Sequence, residues 1–222
     1  MNEPISLSEK LYLLGIHPEK GGIISASSSV LSLVLSGAFL LELYRNGNIK
    51  FENKRVVLLT TKTNNETHRY FLEKMSAFKS PQKISIWINK IKFKNKMVYS
   101  EVQNGLVDKR IIRMKKKRFL FFKWKSPILI DRSYVYHLVD DVKSWISNGT
   151  SDEENLILLS FIRPGRLHYR LYSDKNERKS ADKKLKNLSI NNPVSKEVQD
   201  AIRAAQAVAA SVAVSATFSA GH

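Results

Sequence analysis

The chain has 222 residues, 43% of them hydrophobic and 26% charged, which is globular usage and excludes a disordered tail or a fibrous repeat. It has no cysteine, so disulfide staples, thiol catalysis and Cys-ligated metal sites are excluded as well. Lys and Arg number 37 against 20 Asp and Glu, a net charge of +17, and a field of that sign attracts polyanions: nucleic acid, an anionic membrane surface or an acidic partner.

The N-terminus has no basic region followed by an apolar run and does not read as a signal peptide. Ser6-Leu7-Ser8-Glu9 fits a capping box, with Ser6 as N-cap and Glu9 at the third helical position, opening a helix that stops at Gly15. A turn-rich loop, His17 to Gly22, follows. From Gly21 to Leu41 there are 21 uncharged residues, long enough to cross a bilayer. Six of them are serines (Ser25, Ser27, Ser28, Ser29, Ser32, Ser36), whereas a lipid-facing helix is dominated by Leu, Ile and Val. The segment is expected instead as a buried central helix running to about Arg45, with Val30, Leu31, Val34, Leu35, Ala38 and Leu41 at helical spacing and Asn46-Gly47 as its stop.

Alternation predicts strands over 48–52 and 55–59, a small hairpin. Helices are expected over 66–79 and 81–94, the second with Ser80 as N-cap, Pro81 at the first position and Ile84, Trp87, Ile88 and Ile91 on one face. Another helix is expected at 97–108, then a second hairpin within 109–130. Helices at 133–147, 152–162, 166–172, 177–190 and 195–217 complete the chain. No linker divides it. The expected fold is a single, mainly α domain over 1–222, with its core at about 5–217, a central bundle of apolar helices and two short β-hairpins.

Signatures of nucleotide loops, nucleophile elbows and HExxH metal helices are missing. His17, His68, His137, His168 and His222 stand apart from one another, Asp140-Asp141 reads as a solvated pair, and Glu42 is expected in a salt bridge with a Lys or Arg. No catalytic residue, metal or cofactor is expected, and the chain does not read as an enzyme.

The chemistry concentrates between Lys109 and Lys125, where nine of 17 residues are basic and none is acidic: Lys109, Arg110, Arg113, Lys115, Lys116, Lys117, Arg118, Lys123 and Lys125. Inside it runs Phe119-Leu120-Phe121-Phe122-Lys123-Trp124. Taken as one strand, Phe119 and Phe121 face one side while Leu120, Phe122 and Trp124 face the other, so both faces are apolar and the second needs a further cover: another part of the chain, another subunit or lipid. A solvated hairpin packed on its own domain and a membrane or subunit contact are equally compatible with this periodicity. A second basic cluster, Arg163 to Lys186, is interrupted by Asp174, Glu177 and Asp182 and reads as a salt-bridged helix surface.

The series Leu7-Ser-Glu-Lys-Leu-Tyr-Leu-Leu-Gly-Ile16, Gly37-Ala-Phe-Leu-Leu-Glu-Leu43, Gly47-Asn-Ile-Lys-Phe-Glu52 and Gly105-Leu-Val-Asp-Lys-Arg-Ile-Ile112, ahead of the apolar hairpin, resembles the Golgi phosphoprotein 3 family, including its bacterial members. The resemblance implies a helical domain with a projecting hydrophobic hairpin, peripheral membrane attachment on the cytoplasmic side, phosphatidylinositol 4-phosphate binding in the eukaryotic members, protein clients and oligomer contacts through the hairpin. By that register the headgroup-pocket positions fall on Ser27, Ser36, Lys96 and Tyr99, of which only Lys96 keeps a positive charge. The expectation is a protein that binds anionic membrane lipid through Phe119, Leu120, Phe121, Phe122 and Trp124 and the basic surface of Arg113, Lys115, Lys116, Lys117, Arg118, Lys123 and Lys125. The alternatives are a winged-helix-like nucleic-acid-binding module, built from helix 97–108 and the basic hairpin, and an oligomeric scaffold that uses the hairpin for subunit contacts alone.

Overall fold

A computed structural model describes residues 4–188, 201 and 203–207. The fold is mainly helical, and its apolar residues join in one core. α1 (Leu7–Gly15) opens with the expected capping box: Glu9 N–H donates to the Ser6 hydroxyl at 3.2 Å and Ser6 N–H to the Glu9 carboxylate at 2.8 Å. The two bonds satisfy donors that a helix start otherwise leaves open. α1 packs on α2 (Leu31–Arg45), the central helix, whose Leu33, Val34, Leu35, Phe39 and Leu40 are buried on different sides. Full burial of such a side chain is worth roughly 1.5–3 kcal/mol, so this helix anchors the core although it has no strongly apolar single face. At Gly37 an added Cβ would lie 2.7 Å from Ala205 and 3.0 Å from Phe161, so its small size is what lets neighbouring elements close on α2.

α2 starts later than its composition suggests. Residues 25–30 form turns, with the Ser28 hydroxyl donating to Ser25 O at 2.9 Å and Ser27 O accepting from Val30 and Leu31 N–H. Serine side chains compete with the helical ladder for backbone partners, and here they win until Leu31. Among the described residues no helix is long and apolar enough to cross a membrane.

After α2 come β1 (Ile49–Glu52) and β2 (Arg55–Leu58), paired as expected, then α3 (Glu66–Ser76). The helix expected from Pro81 begins instead at Ile84. Gln82–Lys83 form β3, which pairs with β2 in register Arg55 to Lys83 and Val56 to Gln82. The exposed edge of β2 captures these residues before the helix can, helped by an Arg55 hydrogen bond to Pro81 O at 2.8 Å. α4 (Ile84–Phe93) buries Ile84, Trp87, Ile88 and Ile91 against the core. α5 (Asn95–Asp108) leads into β4 (Ile112–Phe119) and β5 (Phe122–Leu129), the second hairpin. α6 (Arg132–Asn148), α7 (Glu153–Ile162), α8 (His168–Leu171) and α9 (Lys175–Leu188) pack around the other side, and Ala201 and Ala205 are buried in helical backbone. The rest of the helix expected at 195–217 lies outside the described residues.

Candidate functional site

β4 and β5 pair residue for residue without a bulge, from Ile112 opposite Leu129 to Phe119 opposite Phe122. The turn is therefore Leu120-Phe121, and the run from Phe119 to Trp124 is not one strand with two apolar faces. It bends back on itself, and the register sorts its side chains differently. Lys116 stands opposite Lys125, and Arg118 opposite Lys123, on one face. Lys117 stands opposite Trp124, Lys115 opposite Ser126 and Arg113 opposite Ile128, on the other. One face near the tip is thus cationic, and the other carries Trp124 and Phe122.

Neither feature helps the hairpin fold. Like charges directly opposed across strands are destabilising, and there are two such pairs in succession. The turn has Leu120 at φ 51°, a left-handed conformation that favours Gly or Asn and is rare for a branched apolar residue. The tip is also exposed: Leu120 66%, Phe121 92%, Phe122 74% and Trp124 47%. Strained backbone, opposed cations and bare aromatics in one place mark a segment shaped for something other than its own stability.

The root is firmly seated. Ile111 and Ile112 belong to the core, and Ser126 is buried. The loop after α1 lies along β5: Gly22 N–H donates to Pro127 O at 2.7 Å, and Lys117 Nζ to Lys20 O at 3.3 Å. Gly21, at φ 66°, approaches so closely that an added Cβ would lie 2.5 Å from both the Ile128 side chain and Pro127 O. Only glycine fits there, for conformational and steric reasons together.

Between this loop and the hairpin lies a cleft of about 500 Å³, lined by Lys20, Arg113, Lys115, Lys117 and Arg132 with Glu19 as its one carboxylate. Among the described residues none of these five cations is in a salt bridge. The cleft opens on the hairpin face that carries Trp124. Lys20 is far from the basic run in sequence, Arg132 lies seven residues past its end at the start of α6, and no local pattern marks either. Lys116, Arg118, Lys123 and Lys125 belong to the opposite face.

The four positions aligned with a headgroup pocket are placed differently. Ser27 and Ser36 are buried, and the Ser36 hydroxyl donates to Ser32 O at 2.7 Å. Tyr99 packs edge-on to Tyr12, ring centres 5.7 Å apart, and burial pushes its phenol up to about 12. Lys96 is exposed at a cleft that also holds Glu66 and Glu101, so the cation there is outnumbered. The salt bridge expected for Glu42 is replaced by a helix cap: its carboxylate accepts Ser8 N–H at 2.8 Å at the start of α1. In the second basic cluster Arg163 pairs with Asp182 at 3.6 Å, in keeping with a salt-bridged surface.

The sequence profile of the Golgi phosphoprotein 3 family, GPP34, matches residues 7–205. No curated protein matches the chain.

Proposed function

The chain belongs to the Golgi phosphoprotein 3 family, and from that premise we propose that it is a peripheral membrane protein that binds anionic phospholipid with the β4–β5 hairpin and the cleft at its root. The observation that carries this reading is the bare apolar tip on a chain of net charge +17. Strand geometry puts Trp124 about 10 Å from the turn, three residues at ~3.4 Å each. With Leu120 and Phe121 in the acyl region, Trp124 lies at the headgroup boundary, where its ring has an apolar body and a polar N–H to satisfy. The opposed lysines and arginines then meet lipid phosphates, which relieve their mutual repulsion, each cation adding about 1 kcal/mol near an acidic leaflet. The root cleft receives a headgroup phosphate, with acyl chains following the Trp124 face toward the tip. Phosphatidylinositol 4-phosphate, the lipid implied by the family, is one such ligand.

The same tip suits a second copy of the chain, because two aromatic hairpin faces bury each other as well as they bury in lipid. Association through the hairpin and capture of a protein client at the membrane are therefore part of the proposal. Duplex DNA is the competing polyanion, and the exposed aromatic turn disfavours it, since a DNA-contacting wing is polar.

Co-sedimentation tests the reading. Phosphatidylcholine vesicles with and without an acidic lipid, and duplex DNA, are compared over a salt series. The expected result is binding to acidic vesicles that exceeds both and falls with salt. Equal binding to neutral and acidic vesicles, or preference for DNA, overturns it.

A further inference from the structure

A second site lies in the helical body, and its chemistry is opposite to that of the hairpin. Where α1, α2, α3 and α5 meet there is a cavity of about 260 Å³, lined by Glu9, Glu42, Asn65, His68, Glu101 and Lys109 among others. Three carboxylates face one ammonium in a protein whose excess charge is strongly positive. Part of that charge is committed to the fold. Glu9 holds Lys109 Nζ at 2.7 Å and caps α1 through Ser6, while Glu42 takes Ser8 N–H. Asn65 receives His68 N–H at 2.8 Å and donates to one Glu101 oxygen at 2.6 Å.

Unmatched groups remain. The other Glu101 oxygen and both ring nitrogens of His68, a residue 7% exposed, are buried without a hydrogen-bond partner of good geometry, although the Thr67 side chain beside Glu101 favours its charge. Orphaned polar atoms at such depth are rare and costly. A neutral imidazole carries one N–H, and Nε2 lies 3.6 Å from the Glu101 oxygen that Asn65 holds, so that N–H has a carboxylate to face; the acceptors left over are the other carboxylate oxygen and one imidazole lone pair. Burial holds His68 down at about 4, so its ring is neutral and does not repel a cation. Phe39, edge-on to His68 with ring centres 4.9 Å apart, adds an aromatic wall. Among the described residues no group of three acids and histidines is placed to hold a metal ion. The occupant that fits is an organic cation with several N–H donors, and an ammonium offers three from a single point.

We propose that this cavity binds a primary alkylammonium group, held between Glu101, Glu42 and His68, independently of lipid binding at the hairpin.

The test uses the full chain and methylammonium chloride, with tetramethylammonium and sodium chloride at equal ionic strength as comparisons. At pH 8 methylammonium is expected to raise the melting temperature saturably and to shift the His68 ring resonances, while tetramethylammonium, which has no N–H, does neither. Glu101→Gln, which keeps the Asn65 hydrogen bond, is expected to weaken binding about tenfold, the loss of one charged hydrogen bond. At pH 5 binding should weaken as well, since burial and the Glu101 charge push Glu42 up to about 7 and burial raises Glu101 too, so the carboxylates that face the ammonium, beside Glu9, His68 and Lys109, lose charge as pH falls. A lysine-containing peptide binding tighter than methylammonium, with its acetyl-lysine counterpart inactive, assigns the ammonium to a polypeptide partner; equal affinities assign it to a small amine. Identical responses to methylammonium and tetramethylammonium, or unchanged affinity in Glu101→Gln, overturn the proposal and leave a cavity that holds water only.

Discussion

Lys109 Nζ lies 2.7 and 2.9 Å from the two carboxylate oxygens of Glu9, tying the residue after α5 to the first turn of α1 across 100 positions of sequence. Both side chains are nearly buried, at 5% exposure for Glu9 and 13% for Lys109. Taking away one member of such a pair strands the other charge, so Lys109→Met is expected to destabilise the fold by about 3–5 kcal/mol. The double variant Glu9→Gln/Lys109→Met should recover a large part of that loss, because it leaves no bare carboxylate. Urea unfolding of the parent, Glu9→Gln, Lys109→Met and the double variant checks it, and additive losses would show that the two residues are uncoupled.

Two buried groups of the same cavity give opposite pH trends. Glu42 is raised by burial from 4.5 to about 7, so its share of stability is full below about pH 4.5 and is lost as pH rises through 7. His68 is lowered by burial from 6.5 to about 4, so its share is present above pH 6.5 and is lost as pH falls through 4. The parent should therefore show a shallow profile between these limits. Glu42→Gln, which still accepts Ser8 N–H, should gain stability with rising pH up to about 6.5; His68→Gln should lose stability with rising pH toward about 7, with the raised Glu101 adding to the same slope. Melting temperatures from pH 4 to 8 separate the two curves.

The opposed lysines offer a variant whose two effects differ in sign. Lys125→Glu places an acid opposite Lys116, and an opposite-charge cross-strand pair is worth roughly 0.2–1 kcal/mol. The variant should melt slightly higher than the parent in solution and bind acidic vesicles more weakly. A lower melting temperature with weaker binding would mean that the stripe is needed for folding.

At the tip, replacing Phe121, Phe122 and Trp124 together by Ser should leave stability within about 0.5 kcal/mol, as for exposed positions generally. Vesicle binding or self-association should fall about a thousandfold or more, since each aromatic transferred from water is worth about 1.5–3 kcal/mol and three are removed. Melting, flotation and sizing on the one variant test this. A large drop in melting temperature with normal binding would place the aromatics in the core.

Local chemistry was legible in the sequence where one short segment carries all of it. Ser6 and Glu9 complete their capping box within three residues, and the face of Ile84, Trp87, Ile88 and Ile91 follows from spacing alone. The start of α2 was not legible, because an uncharged run counts serines as helix-compatible while their hydroxyls find nearer partners. β3 depends on the free edge of β2, a tertiary fact. The turn at Leu120-Phe121 has no Gly, Asn or Asp to announce it, so the apolar run reads as unbroken. Lys20 joins the cleft only because the loop after α1 folds along β5, and Arg132 because α6 starts at the hairpin's root. The acidic cavity draws its groups from four helices, and each residue alone looks like an ordinary surface or capping acid.

The seating of Gly21 and Gly22 against β5 has a mechanical consequence. A hairpin joined to its domain by its two strands alone is a leash, and a molecule on a leash tumbles above whatever surface the tip enters. Here a third segment braces the base, so the hairpin is a peg set at one angle to the helices. Once the peg is planted, the body has one heading and one height, and any groove on it faces the same way in every bound copy.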